Sequence, residues 1–178
     1  MSEDLVVRRL SAEETGECSA ALSRVLIDCV EGGASVSFMA PMTREKADAF
    51  WMGVKDRIAA GAVEILVAEL GGEVAGTVQL VTGLPENQPH RADVSKLLVH
   101  PSARRRGLGH VLMTAVEDLA REKGKTLLVL DTASDDADRL YRALDWTEVG
   151  AIPGFALFPD GRPCDTVIFY KQLQPKPA

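Results

Sequence analysis

The segment Lys96–Gly109, Lys-Leu-Leu-Val-His-Pro-Ser-Ala-Arg-Arg-Arg-Gly-Leu-Gly, limits the fold more than any other part of the chain. A strand-like run from Asp93 to Val99 is stopped by Pro101, which cannot donate to a β-ladder. A glycine-bearing loop follows, and the spacing then predicts a helix over Leu108 to Lys123. There Leu108, Val111, Leu112, Ala115, Val116, Leu119 and Ala120 fall at i, i+3, i+4, i+7, i+8, i+11 and i+12, one continuous apolar face. Gly124 ends this helix. Leu127 to Leu130 is apolar at consecutive positions, as in a strand covered on both faces. Strand, helix and strand in this order predict a β-α-β unit whose two strands run parallel.

The rest of the chain fits around that unit. Val6 to Leu10 reads as a first strand. Ser11 to Cys29 reads as one helix with Leu22, Val25, Leu26 and Cys29 on its apolar face. Thr43 is the expected N-cap of a second helix reaching Ala60. Val63–Ala68 and Val74–Val81 flank Gly71-Gly72, the composition of a hairpin. Ser134 or Asp135 caps a helix to about Leu144, and Trp146–Ile152 and Thr166–Lys171 read as the last two strands. The expected order is β-α-α-β-β-β-α-β-α-β-β, an α/β fold with a mixed sheet and helices on both faces. No linker or repeat interrupts it, so residues 1–172 are read as a single domain and residues 173–178 as a flexible tail.

Composition excludes several function classes. With 46% hydrophobic residues in 178, a substantial core is expected. Twenty Lys+Arg against 26 Asp+Glu give a net charge of −6, against a general nucleic-acid partner. Cys18, Cys29 and Cys164 are odd in number and form no CxxC pair, so neither a disulfide framework nor a metal site is expected. No apolar run is long enough to span a membrane, and the acidic start Met1-Ser2-Glu3-Asp4 is unlike a secretory leader. These features together predict a cytoplasmic protein with reduced thiols.

The chemistry is concentrated in the loop. Gly107 and Gly109 remove side chains where the backbone must approach something closely. The first helical turn offers unpaired N–H groups and the positive end of its dipole, and Arg104, Arg105 and Arg106 stand beside it. Donors and charge of this kind make an anion site, and phosphate is the usual anion. A P-loop would need Lys-Ser/Thr after the last glycine, where this chain has His110-Val111. A dinucleotide fingerprint would need a third glycine, where position 112 is Leu. The pattern that fits is Arg104-x-x-Gly107-x-Gly109 between a strand and an amphipathic helix.

This pattern, with the order of elements around it, resembles the GNAT superfamily of N-acetyltransferases. The resemblance implies a mostly antiparallel sheet in which the one parallel pair splays apart, and acetyl-CoA as co-substrate with no metal. It implies that Arg104, Arg105, Arg106, Gly107, Leu108, Gly109 and His110 bind the diphosphate. It implies that the backbone of Leu97, Leu98 and Val99 pairs with the pantetheine arm like an added strand. Ala137-Asp138-Arg139-Leu140-Tyr141 is similar to the family's Ala-x-x-Leu-Tyr, which makes Tyr141 the expected acid and Ala137 a cofactor contact. A phenol's ordinary pKa, near 10, matches a departing thiolate. Many relatives carry Asn where this chain has Ser134, the further expected contact. Gly32–Ala40, Lys96–Gly109, Leu130–Ser134, Tyr141–Trp146 and Pro153–Arg162 further resemble members that acetylate a small β-lactam amino acid, which implies a small amine acceptor.

An amine attacks only when neutral, so a carboxylate or a water must take its proton. Asp93 begins the first parallel strand and Asp131 ends the second, and either suits that role or the fixing of the ammonium. Phe38, Met39 and Phe155 suggest an apolar wall for the acceptor. A protein or peptide acceptor, or a non-catalytic acyl-CoA sensor, remains open at this stage. A homodimer is common among such domains.

Overall fold

The computed structural model describes residues 4–174, and its chain order follows from local signals that are easily traced. Strand β1 (Leu5–Leu10) leads into helices α1 (Ala12–Glu17), α2 (Ser19–Glu31) and α3 (Arg44–Ala59). The strands β2 (Val63–Leu70), β3 (Glu73–Val81) and β4 (Arg91–Val99) follow, then α4 (Leu108–Glu122), β5 (Leu127–Thr132) and α5 (Asp135–Ala143). The hairpin of β6 (Thr147–Leu157) and β7 (Pro163–Gln172) closes the chain.

All seven strands join one sheet in the order β1-β2-β3-β4-β5-β7-β6. Every neighbouring pair is antiparallel except β4 and β5, the pair that the β-α-β reading made parallel. The alternation of the strands sends side chains to two cores. On one face Val63, Ile65 and Val67 meet Leu22, Leu26 and Trp51 from α2 and α3. On the other, Leu66, Val78, Leu80, Ala92 and Leu128 meet the apolar stripe of α4. Leu112 of that stripe is fully buried, and truncating such a leucine to Ala costs about 2–5 kcal/mol.

Three expectations need correction. Ser11–Cys29 is two helices, not one. Ser11 and Glu14 form a reciprocal capping box, and the short helix ends at Cys18, whose N–H reaches the Glu14 carbonyl at 2.8 Å. Gly16, near the end of this short helix, is a poor helix former. Pro153–Arg162, expected as a loop, is strand as far as Leu157, with the reversal confined to the turn where Phe158 N–H meets the Arg162 carbonyl at 2.8 Å. Two bulges bend β6 without ending its pairing with β7. Leu173, placed in the tail by its sequence context, is buried and donates to the Thr126 carbonyl at 2.8 Å. Residues 175–178 of that tail lie outside the described residues.

Candidate active site

The site begins where two strands part. β4 and β5 pair only through Arg91–Leu127, Ala92–Leu128 and Asp93–Val129. Beyond Asp93 they diverge, because β4 bulges. Its pairing with β3 jumps from Ser95–Gln79 to Leu98–Thr77, and Lys96 takes a left-handed φ of 51°. The Lys96 carbonyl, lifted from the ladder, accepts the Thr77 hydroxyl at 3.0 Å. Residues Val94 to Val99 therefore turn an edge without a β5 partner toward a cleft of about 850 Å³. Leu97, Leu98 and Val99 all line it, although the Leu98 side chain is core.

At the end of β4 the loop is firmly built. Pro101–Ala103 make a 3₁₀ turn. The imidazole of His100 bridges Asp28 of α2, at 2.7 Å, and the Ser102 hydroxyl, at 2.7 Å. Arg105 has φ 60° and Gly107 φ 83°, so the chain reverses twice before α4 starts. Gly107 is the N-cap and supplies no side chain, which leaves the first N–H groups of α4 open toward the cleft. A Cβ on Gly109 would come within 3.1 Å of Leu140, so this glycine lets α5 approach the start of α4. Arg104, Arg105, Gly107, Leu108, Gly109 and His110 line the cleft. Arg106 does not, because successive side chains of a tight turn diverge. Ser134 and Ala137 line the same space from the α5 side, where Ser134 caps the helix by accepting the Ala137 N–H at 3.3 Å.

The candidate proton-handling groups separate here. Tyr141 and Asp131 both line the cleft. Tyr141 is buried against Trp146 and Phe169, with ring centroids 5.9 and 5.6 Å away. Burial, and then the nearby charge of Asp131, pushes the phenol well above its ordinary pKa. Asp131 accepts the hydroxyl of buried Thr166 at 2.9 Å, which fixes one carboxylate oxygen. Asp93 lies outside the cleft lining. It sits where the strands are still paired, and the guanidinium of Arg91 engages its carboxylate.

The wall is also partly corrected. Phe155 lines the cleft together with Ala156 and Phe158 of the last hairpin. Phe38 instead packs edge-on against Phe50 at 5.2 Å, and Met39 is exposed beside it, so neither lines the cleft. The preceding residues Gly32–Ser37 do. That segment is tied across the cleft to the hairpin by Ser35 Oγ to the Leu157 carbonyl (3.0 Å) and Ala40 N–H to the Pro159 carbonyl (3.1 Å). Sequence reasoning missed Lys96, Ser37 and Thr166. The only signal for Lys96 was a charge interrupting an apolar strand. Among the described residues no group of three or more His, Cys, Asp or Glu could hold a metal ion, and no helix is long and apolar enough to cross a membrane.

Comparison with known proteins gives a consistent result. Residues 34–146 match the model of the acetyltransferase (GNAT) family. An uncharacterized N-acetyltransferase encoded between hisH and hisA in Azospirillum brasilense is 35% identical over 137 residues, covering 72% of this chain and 75% of that one. The Salmonella typhimurium protein yncA, solved with its cofactor acetyl-CoA, superposes with a TM-score of 0.76 at 22% identity, covering 98% of this chain and 96% of that one. A phosphinothricin acetyltransferase from Sinorhizobium meliloti, in complex with acetyl-CoA, gives a TM-score of 0.76 at 18% identity, covering 95% and 88%. At such identities the two structures establish the fold alone.

Proposed function

Since the chain belongs to the GNAT family of acetyltransferases and is thereby an acyltransferase using acetyl-CoA, we propose that it acetylates the amine of a small molecule by direct attack within a ternary complex. One observation carries the reading. A single cleft joins the unpaired edge of β4, the Gly107–Gly109 turn, and the pair Asp131 and Tyr141. Those features fit an extended thioester with an anionic end. The N–H groups opening α4, with Arg104 and Arg105, would hold the diphosphate, and the β4 edge would hold the pantetheine arm.

Acetyl-CoA supplies the activated acetyl group. The chain supplies proton management. Asp131, exposed to the cleft and steadied by Thr166, takes the proton of the incoming ammonium, so that the amine attacks with its lone pair. Tyr141 stays protonated because burial disfavours the phenolate, although the same burial makes it a weaker acid than a free phenol; it gives its proton to the sulfur as the C–S bond breaks and recovers one from the nitrogen as the amide forms. Asp93, already engaged by Arg91, orders the paired end of the strands.

The small acceptor is supported by the covering of the cleft. Ser35 ties the Gly32–Ser37 segment to the last hairpin, and this contact narrows the cleft on the acceptor side. The resemblance of the segments around it to the tabtoxin-resistance acetyltransferases points the same way. The reading extends to a cytoplasmic single-domain enzyme. A homodimer is supported by the edge strand β6, which exposes Val149, Ile152 and Leu157.

The test is release of free thiol from acetyl-CoA across amino acids, polyamines, aminoglycosides and β-lactam amino acids. Amine-dependent release with one class is expected. Release with peptide N-termini alone would sink the small-acceptor reading.

A further inference from the structure

The cleft holds a charge that neither diphosphate binding nor the proton transfers use. Lys96 projects from the bulge of β4, on the far side of Leu97–Val99 from the arginine loop, so it stands toward the acceptor end. The Lys96 side chain is half-buried. Its ammonium lies 5.9 Å from the centre of the Phe50 ring and donates one hydrogen bond, at 3.0 Å, to the Ser37 hydroxyl. Among the described residues it forms no ion pair, and Asp131 lies beyond salt-bridge distance. An ammonium carries three donors, and Ser37 satisfies one.

A cation drawn part-way out of water with no carboxylate in direct contact is costly until something brings one. The bulge makes the arrangement specific. In a regular strand residue 96 would be locked opposite β3. The left-handed backbone at Lys96 takes it out of register, and Thr77 captures the carbonyl this frees. The result is a cleft with a carboxylate, Asp131, on β5 and an ammonium, Lys96, on β4 that feels that carboxylate without forming an ion pair with it. Opposite charges on the two splayed strands complement a molecule bearing an amine and an acid group.

We propose that Lys96, with Ser37, is the acceptor-recognition site for a carboxylate, so that the acceptor is an amino acid or a close analogue whose amine lies toward Asp131. This deepens the small-amine reading and rests on it. Lys96 touches the substrate's acid group, takes no part in proton transfer, and determines which amines enter.

The experiment measures thiol release and acceptor binding in parallel. The probes are the common amino acids in both hands, β-lactam amino acids, and for each the matched amide and decarboxylated amine. Wild type, Lys96→Met and Lys96→Arg are compared, with acetyl-CoA binding as a control for folding. The free acid should exceed its amide in kcat/KM by about 10–100-fold, the worth of a charge-assisted hydrogen bond. Lys96→Met should abolish that preference by raising KM for the acid while leaving the amide unchanged, and Lys96→Arg should keep much of it.

The proposal is overturned if the wild type handles acid and amide alike, or if Lys96→Met slows both equally. It is also overturned if Lys96→Arg is as impaired toward every amine as Lys96→Met, which would mark Lys96 as a proton carrier. Turnover or binding of polyamines but of no amino acid would defeat it while leaving the small-amine reading intact. Failure of every small amine, with acetyl-CoA still bound, would defeat both.

Discussion

The start and the end of the β4–β5 pair are a few residues apart and behave as different materials. At the start, Arg91–Asp93 and Leu127–Val129 form an ordinary parallel ladder, and Asp93 is held by a neighbouring guanidinium. At the end, the same strands have parted, and Asp131, Lys96 and the Leu97–Val99 edge face a cleft. Composition hardly distinguishes the two ends, since each has a carboxylate, a cation and apolar neighbours. The difference is backbone pairing. A strand that has its ladder partner offers only side chains, whereas one that has lost it offers N–H and C=O groups as well.

The sharpest way to break this comparison is to remove each carboxylate in turn. Asp131→Asn should lower kcat by about 10²–10³-fold, the usual worth of a positioned base. Asp93→Asn should change kcat by less than about threefold, since it loses only a part-exposed ion pair. Steady-state rates with a turned-over amine decide it, and the opposite ranking would move the base to the paired end.

Next in size is Tyr141→Phe, which keeps the packing on Trp146 and Phe169 but removes the proton. A fall in kcat of about 10²-fold is expected, with acetyl-CoA affinity by calorimetry unchanged. Equal rates would reduce Tyr141 to a packing residue.

Gly107→Ala probes the turn. At φ 83° a side chain is strained although the space around it is open, so about 1 kcal/mol of stability should be lost. For a chain of this length that lowers Tm by about 2–4 °C. Melting curves without ligand would show it, and no change would mean that the turn relaxes.

The smallest effect concerns Lys96. Burial lowers its pKa from the ordinary 10.5, a nearby Asp131 partly restores it, and Arg57 lowers it further. The unfolded chain therefore binds this proton more readily than the folded one, and at neutral pH the folded state carries a penalty. That penalty fades as pH rises toward 10.5, where the unfolded lysine also loses its proton. Lys96→Met should then melt slightly higher than wild type at pH 7, with the gap closing by pH 10. A gap that widens with pH would show that the ammonium stabilises the fold.

Much of this was legible beforehand because it depends on local spacing. The stripe from Leu108 to Ala120 defined α4, Pro101 ended β4, and Gly107 marked the left-handed turn at the start of α4. Asp131 was singled out by its place at the end of a strand and Tyr141 by the likeness of Ala137–Tyr141 to the family's Ala-x-x-Leu-Tyr, and both line the cleft. What failed to read out depends on direction. Phe38 and Met39 were adjacent to the right segment, but one turns into the α2–α3 core beside Phe50 and the other into solvent. Arg106 follows two arginines that line the cleft and does not join them.

By itself the sequence determined most of the element order, the parallel unit and the glycine turn before α4. Each of these follows from periodicity, glycine and proline acting over a few neighbouring residues. Only the tertiary structure decided that β4 bulges at Lys96, that the pairing with β5 stops at Asp93, and that Lys96 and Asp131 share one cleft while Asp93 stays outside it. The physical reason is that register and splay are set by contacts between strands far apart in the chain. A one-residue slip in such a ladder redirects every side chain that follows.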